Sequence, residues 1–141
     1  MQNVLFYFER RRRKANFLIV TNNPRVKEKY ENVYFVEGSF LDVLISVRDL
    51  VHKGFVLVSH PLGASIRMLF SPYRSIIVGE KVEEINIFSV EIIENSIISY
   101  KKHMEKRKVD WDNKEDYQLI DNELLGSTIK SLNSNSYESF I

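Results

Sequence analysis

The stretch VSHPLGASIRMLFSPYRSIIVG, Val58–Gly79, joins two apolar, β-branched runs through a segment rich in polar and turn-forming residues. The runs on either side of it, FVLVS and RSIIVG, are typical of buried strands. Between them lie a histidine, two prolines, a glycine and an arginine, and a second arginine begins the run RSIIVG. Polar and turn-forming residues between two buried strands indicate a loop that contains a functional site. The strands and helices on either side of the loop define where that site lies.

Upstream of this stretch, two further strands alternate with two helices. NFLIVT, residues 16–21, predicts a buried strand, and the TNNP motif that overlaps its end is typical of a capped helix start. VYFVEGS, residues 33–39, predicts a second short strand. Ser39 and Asp42 then resemble a capping box before apolar residues at helical spacing, which predicts a helix that ends just before Gly54.

Downstream of this stretch, the pattern becomes helical. Apolar residues at helical spacing predict a long helix over residues 89–106. Beyond it, a second amphipathic helix is predicted, and the Ser- and Asn-rich end, residues 133–141, is predicted to fray. The apolar stripe of that second helix is predicted to consist of Tyr117, Ile120, Leu124 and Leu125.

The order of these elements predicts a single α/β domain with a mostly parallel, four-stranded sheet flanked by helices, a Rossmann-like arrangement of three layers. Residues 16–108 form this predicted domain. Residues 1–15 are interpreted as a basic N-terminal extension, and residues 109–141 as an acidic C-terminal extension that is helical before it frays.

Charge is divided unevenly along the chain. Residues 1–108 carry 18 Lys and Arg against 12 Asp and Glu, a net +6, whereas residues 109–141 carry 2 against 7, a net −5. The acidic tail either lies on its own basic body or leaves a basic face for an anionic partner. The basic run Arg10–Lys14 lacks interleaved aromatic residues, so the sequence does not favour nucleic-acid binding.

Composition excludes several chemistries. The 141 residues contain no Cys, which excludes disulfides, thiolate metal sites and thiol catalysis. The three His do not have zinc-ligand spacing, and no metal or other cofactor is predicted. No apolar run approaches the ~20 residues of a spanning helix. A cytoplasmic protein without a membrane contact is predicted, and its oligomeric state is left open.

The loops that follow the predicted strands contain the candidate ligand-binding residues. In parallel sheets, ligands bind outside the carboxyl ends of the strands, where helix N-termini also favour anions. A small carboxylate or phosphate is therefore a candidate ligand, although no glycine-rich fingerprint of a dinucleotide or P-loop site is present. The candidate residues are Thr21, Asn22, Asn23, Ser39, His60, Ser65, Arg67, Tyr73 and Arg74.

Each of these residues has a structural explanation beside the functional one. His60 is either a general acid or base or a loop residue held extended by Pro61. Arg67 and Arg74 either clamp an anion or form ordinary ion pairs. Asn23 caps a helix in either case. The MLF run, residues 68–70, either packs in the core or docks a partner. No catalytic residue is assigned.

Several separated motifs give the chain a resemblance to a known family. TNNP, GSFLDVLISVRDLVHKG, SHPLGAS, SPYRSIIV and SVEIIENSI, spread over residues 16–106, resemble in order and spacing the GrdX family. The members of that family are small proteins encoded beside the glycine, sarcosine and betaine reductases of amino-acid-fermenting anaerobes, and they have no assigned molecular function. This chain departs from the family pattern at residues 68–70, where the family has a more polar stretch that contains proline.

The resemblance implies components of a glycine reductase, or the thioredoxin system, as partners. Because that chemistry passes through selenol, thiol and thioester groups, a chain without Cys is not suited to carry it. The sequence therefore favours a non-catalytic accessory, assembly or regulatory protein. The alternative is a small enzyme or sensor that binds a carboxylate or phosphate at the carboxyl edge of the sheet.

Overall fold

A computed structural model describes residues 16–134 of the chain as a four-stranded sheet with helices on both faces. The strands are β1 (Phe17–Thr21), β2 (Val33–Phe35), β3 (Phe55–Leu57) and β4 (Ser75–Lys81). The helices are α1 (Pro24–Lys29), α2 (Phe40–His52), α3 (Ile87–Met104) and α4 (Lys114–Ser134), and a short 3₁₀ helix (Ile66–Phe70) lies between β3 and β4.

The sheet is mixed, so the prediction of a mostly parallel, Rossmann-like sheet is wrong. The strand order is β2-β1-β4-β3, with β1 and β2 parallel and β4 antiparallel to both of its neighbours. The physical reason lies in the link between β3 and β4, which contains only the short 3₁₀ helix. Adjacent parallel strands need a crossover that returns the chain to the starting edge, usually a full helix, whereas antiparallel neighbours are joined by a loop.

Three of the four strands nevertheless run in the same direction. Since β4 is antiparallel to both β1 and β3, and β1 is parallel to β2, the carboxyl ends of β1, β2 and β3 lie at one edge of the sheet. β4 begins at that same edge, where Thr21 pairs with Ser75. The loops that were predicted to contain the ligand-binding residues therefore meet at this edge, although the predicted direction of β4 is wrong.

Helix α2 begins and ends as its sequence predicts. The Ser39 hydroxyl accepts from the Asp42 N–H, and the Asp42 carboxylate accepts from the Ser39 N–H, which completes the capping box. The chain leaves the helix through Gly54, whose φ of +105° favours glycine. A Cβ there would also lie 2.8 Å from the Val82 carbonyl oxygen. This turn fixes the start of β3.

The face of the sheet covered by α2 and α3 holds the larger hydrophobic core. Leu18 and Val20 of β1, and Ile76 and Val78 of β4, are fully buried on this face. The helices contribute fully buried side chains to it, and the aromatic rings of Phe40 and Tyr100 stack with their centroids 4.6 Å apart. The helix residues of the core include Val43, Leu44, Val47, Val51, Ile93 and Ile97.

The opposite face is covered by α1 and α4 and holds a much smaller apolar cluster. Its buried members are Ile19, Val26, Ile77 and Leu125. The buried side of α4 differs from the predicted stripe, because Ile120 and Leu124 are exposed while Asp121 is buried. α4 therefore docks on the sheet through a carboxylate as well as through Leu125.

The terminal predictions fall outside the described part of the chain, except for residues 133 and 134. The structure describes residues 16–134, so the predicted basic extension over residues 1–15 and the predicted fraying of residues 135–141 lie outside it. Among the helices of those described residues, none is both long and apolar enough to cross a membrane.

Candidate functional site

A chain of buried polar groups crosses from the sheet edge to α4. The Thr21 and Ser75 hydroxyls are 2.7 Å apart, and the Ser75 hydroxyl donates to Asp121 Oδ2 at 2.7 Å. The Ser75 N–H donates to Asp121 Oδ1 at 3.0 Å. Asp121 is 2% exposed, so this carboxylate is almost completely removed from water and depends on these donors. Together they tie α4 to the first residue of β4.

Asn22 holds three loops together. Its amide donates to the carbonyl oxygens of Gly38 at 2.9 Å and Pro72 at 2.8 Å, while its Oδ1 accepts from the Arg74 N–H at 2.9 Å. These bonds join the loop after β1, the loop after β2 and the chain entering β4. Both polar atoms of the Asn22 side chain thus bond to other parts of the protein, so Asn22 stabilises the loops at this edge of the sheet.

Asn23 combines a capping role with a bond to α4. Its Oδ1 accepts from the Arg25 N–H, which caps α1 as predicted. Its amide group donates to Asp121 Oδ2 at 2.9 Å and to the Gln118 carbonyl oxygen at 3.0 Å. A residue predicted to contact a ligand therefore holds the two helices of the α1/α4 face together.

Arg74 is the buried cation of the site. It is 8% exposed, and its Nε and Nη2 donate to the carbonyl oxygens of Pro61 and His60, both at 2.7 Å. Burial lowers the pKa of Arg74 below its ordinary value, while the charge of Asp121 opposes that shift. Neither hydrogen bond that the guanidinium makes within residues 16–134 is to a carboxylate. Arg74 thus holds the loop after β3 in place through two backbone carbonyl oxygens.

That loop closes over the guanidinium at Gly63. Gly63 has a φ of +71°, and a Cβ at this position would lie 3.4 Å from both Nη atoms of Arg74. His60 Nδ1 accepts from the Leu62 N–H at 3.1 Å, which leaves the proton of a neutral ring on Nε2. Partial burial, and secondly the charge of Arg74, lower the pKa of His60 below its ordinary value.

A cavity of about 240 Å³ lies between this loop and α4. Ser59, Gly63 and Arg74 line it on the sheet side, and Leu124, Ser127 and Thr128 line it on the helix side. Gly63 and Ser127 are exposed, so the cavity opens to solvent. It brings a buried cation and several hydroxyl groups to one accessible concave surface.

The structure brings five of the nine predicted residues into this network and leaves four on its outside. Tyr73 joins it because its hydroxyl accepts from Gln118 Nε2 at 2.9 Å. The side chain of Ser39 faces its own helix cap and is exposed. Ser65 and Arg67 are exposed at the 3₁₀ helix, so Arg67 does not form a clamp with buried Arg74. The five within the network are Thr21, Asn22, Asn23, Tyr73 and Arg74, whereas His60 reaches Arg74 through its carbonyl oxygen only.

The MLF run belongs mainly to the core. Leu69 is 4% exposed and packs with the α2/α3 core, and the guanidinium of Arg107 lies 5.9 Å from the centre of the Phe70 ring. Of the two explanations for this run, core packing is correct for Leu69. Residues 16–134 contain no group of three or more His, Asp or Glu side chains arranged to hold a metal ion.

Sequence reasoning missed Ser75, Asp121 and the hydroxyls of α4. Asp121 carries a usable signal, because it lies four residues from both Tyr117 and Leu125 and so falls on the same helical stripe as two apolar residues. A carboxylate on a buried stripe needs buried donors. For Ser127 and Thr128, on the contrary, no pattern in the sequence separates cavity-lining hydroxyls from ordinary surface ones.

Chemically, this edge is suited to binding. The hydroxyl and amide groups of the network are already hydrogen-bonded to one another or to the backbone, and within residues 16–134 the ring of His60 contacts no carboxylate that would orient it as a base. The buried cation beside an open cavity is a feature that attracts negative charge.

Comparison with protein-family models shows which family the chain is similar to. The model of the family described as "GrdX-like protein" matches residues 18–130, about four fifths of the chain. This match continues past residue 106, where the sequence motifs ended, and includes most of α4. No curated protein and no solved structure matches the chain significantly.

Proposed function

This chain belongs to the GrdX-like family, and we propose that it is an accessory, assembly or regulatory protein of a glycine, sarcosine or betaine reductase system. In this role it binds a component of the reductase, or a protein of the thioredoxin system, and does not turn over substrate. The observation that carries the proposal is the family match over residues 18–130. The resemblance to the GrdX family implies that the chain is encoded beside these reductases. A cytoplasmic location is part of the proposal.

The composition of the chain supports a role outside the electron-transfer steps. Reduction through thiols, selenols and thioesters requires a nucleophilic thiolate or selenolate on each participant, and this sequence contains no Cys. A chain of this kind serves such a system by contact with a protein that does carry the reactive group.

The geometry of the sheet edge supports binding over turnover. Asn22, Asn23 and Asp121 use their polar atoms to hold loops and helices together. An active site usually leaves a nucleophile or base positioned to reach a substrate. Here the same residue types hydrogen-bond loops and helices to one another, which suits a protein that presents a surface to a partner.

Direct binding to purified proteins tests the proposal. The chain is measured by interferometry and size-exclusion chromatography against each component of a glycine reductase and against thioredoxin. We expect one of them to bind with a Kd of about 1 μM or tighter, corresponding to roughly 8 kcal/mol. The other components serve as matched controls within the same system.

Salt separates specific binding from attraction to the basic body. The measurement is repeated at about 0.15 M and about 1 M salt, where the screening length falls from roughly 8 Å to roughly 3 Å. A complex that persists with one component supports the proposal. If no component binds, and a strain lacking the gene keeps the parental rate of glycine reduction, the proposal is wrong.

A further inference from the structure

We propose that the cavity between the β3–β4 loop and α4 is a binding site for a small monocarboxylate, held by the guanidinium of Arg74 and the hydroxyls of Ser59 and Ser127. The proposed site lies entirely within residues 16–134, and its ligand does not depend on whether the chain serves a reductase.

The guanidinium of Arg74 has donors to spare. Its two hydrogen bonds within residues 16–134 use Nε and one N–H of Nη2, while an arginine has five N–H donors in total. Nη1 and the second N–H of Nη2 form a fork that matches the two oxygens of a carboxylate. Gly63 lies against the guanidinium, where a Cβ would be 3.4 Å from both Nη atoms and 3.5 Å from Cζ, an ordinary contact with the face of the group that leaves the in-plane N–H donors unobstructed by this residue.

Two hydroxyl groups can complete the site from opposite walls. Ser59 Oγ accepts from the Ile77 N–H at 2.8 Å, which leaves its own proton free for a ligand oxygen. Ser127 lies across the cavity on the exposed side of α4, and its hydroxyl makes no hydrogen bond within residues 16–134. A carboxylate between them replaces solvent contacts with charge-assisted hydrogen bonds.

Charge and size select the class of ligand. Arg74 is one buried cation, and the charge of Asp121 already favours its charged form, so a second negative group from a ligand meets less uncompensated positive charge than a first. A singly charged carboxylate therefore fits better than a phosphate dianion. The cavity of about 240 Å³ has room for the carboxylate and a few carbon atoms of a ligand beside Arg74.

Such a ligand would join two parts of the molecule. Arg74 and Ser59 lie at the sheet edge, whereas Ser127 lies on α4, which few apolar side chains attach to the sheet. Binding therefore strengthens the attachment of α4 to the loop after β3. The concentration of a small carboxylate would then control how firmly α4 is attached, and so how its outer surface is presented to a partner.

An NMR titration of the full chain tests the site. Sodium acetate is added to the ¹⁵N-labelled protein, with sodium phosphate and sodium chloride at equal ionic strength as comparisons. We expect saturable shifts at residues 59–64 and 124–128 and at Arg74 Nε, with a millimolar Kd for acetate and at least tenfold weaker binding of phosphate. Shifts with all three salts, centred on Lys101, Lys102 and Lys106, would mean general screening of the basic surface and would overturn the proposal.

A pair of substitutions on α4 separates binding from folding. Ser127→Leu fills the mouth of the cavity, and Asn133→Leu makes a comparable change at an exposed position of the same helix outside the cavity. We expect Ser127→Leu to weaken acetate at least tenfold with an unchanged melting temperature, and Asn133→Leu to bind as the parent does. Equal acetate affinity in the parent and both variants would overturn the proposal, as would no acetate binding to the parent. Arg74→Gln is a less clean variant because it also releases the His60–Pro61 loop.

Discussion

The two faces of the sheet are built in different ways. The α2/α3 face is a continuous apolar core in which Leu18, Val20 and Val78 meet two long helices. The α1/α4 face has a small apolar cluster around Leu125 and relies on hydrogen bonds from Asn23 and Ser75 to Asp121. The α2/α3 face is stabilised by the burial of apolar surface, an interaction that does not depend on direction. The α1/α4 face is stabilised by hydrogen bonds, which require particular distances and angles.

This difference separates a close-packed face from a face that contains a cavity. A close-packed face contributes most of the free energy of folding but leaves no space for a ligand. A face held by a few directed bonds keeps a cavity between its helix and the sheet, as is seen at Arg74. We infer that α4 is the element whose attachment can change while the rest of the domain stays folded.

The largest effect is expected from removing side-chain volume on the α2/α3 face. Leu44 is fully buried, so Leu44→Ala should lower the free energy of unfolding by about 3–5 kcal/mol. Leu125→Ala on the other face should lower the free energy of unfolding by only about 2–3 kcal/mol, because α4 can move into the space that the shortened side chain leaves. Urea denaturation of the two variants measures the difference. Equal losses would show that the faces are packed alike.

The next effect is expected at the carboxylate that docks α4. Asp121→Asn places an amide N–H₂ against the donors of Ser75 and Asn23 and removes the charge that balances Arg74. We expect a loss of about 1–3 kcal/mol, measured by thermal or urea unfolding. Glu123→Gln is the matched control, since it makes the same change in charge at an exposed position of the same helix.

That control should change stability by less than about 0.5 kcal/mol. A similar loss in both variants would mean that the net charge of α4 matters and the buried network does not. A harmless Asp121→Asn would show that α4 is attached by Leu125 and its apolar neighbours alone.

The smallest effect is expected from the pH response of His60. Its pKa in the folded protein is lowered by partial burial and by Arg74, so below about pH 6.5 the unfolded chain binds more protons than the folded one. Stability should therefore fall as the pH drops from 6.5 toward the lowered value, and His60→Gln should remove that part of the slope. Melting temperatures between pH 8 and pH 5 measure it. If the melting temperature of His60→Gln depends on pH as that of the parent does, a group other than His60 causes the dependence.

Local elements could be predicted well from the sequence because each depends on neighbouring residues. The capping box of Ser39 and Asp42 and the helix cap at Asn23 are confirmed. The direction of β4 was predicted wrongly although the stretch after β3 was correctly predicted to be a loop. A loop of this kind joins antiparallel neighbours, whereas the prediction extended the parallel arrangement of the earlier strands to β4.

The candidate site was predictable in position and not in its contents. Arg74 and the residues after β1 lie at the edge that the strand pattern indicated. The bond from Ser75 to Asp121 spans 46 residues, and no local pattern encodes such a pairing. The same is true of the cavity, because one of its walls comes from α4.

Hydrogen exchange of the central amides of α2 and α4 tests the difference between the two faces most directly. We predict that amides near Val47 exchange only through global unfolding, whereas amides near Leu125 exchange through a local opening of lower free energy. Asp121→Asn should lower protection in α4 and leave α2 unchanged relative to global stability. If both helices exchange with the free energy of global unfolding, α4 is an integral part of the core and the account is contradicted.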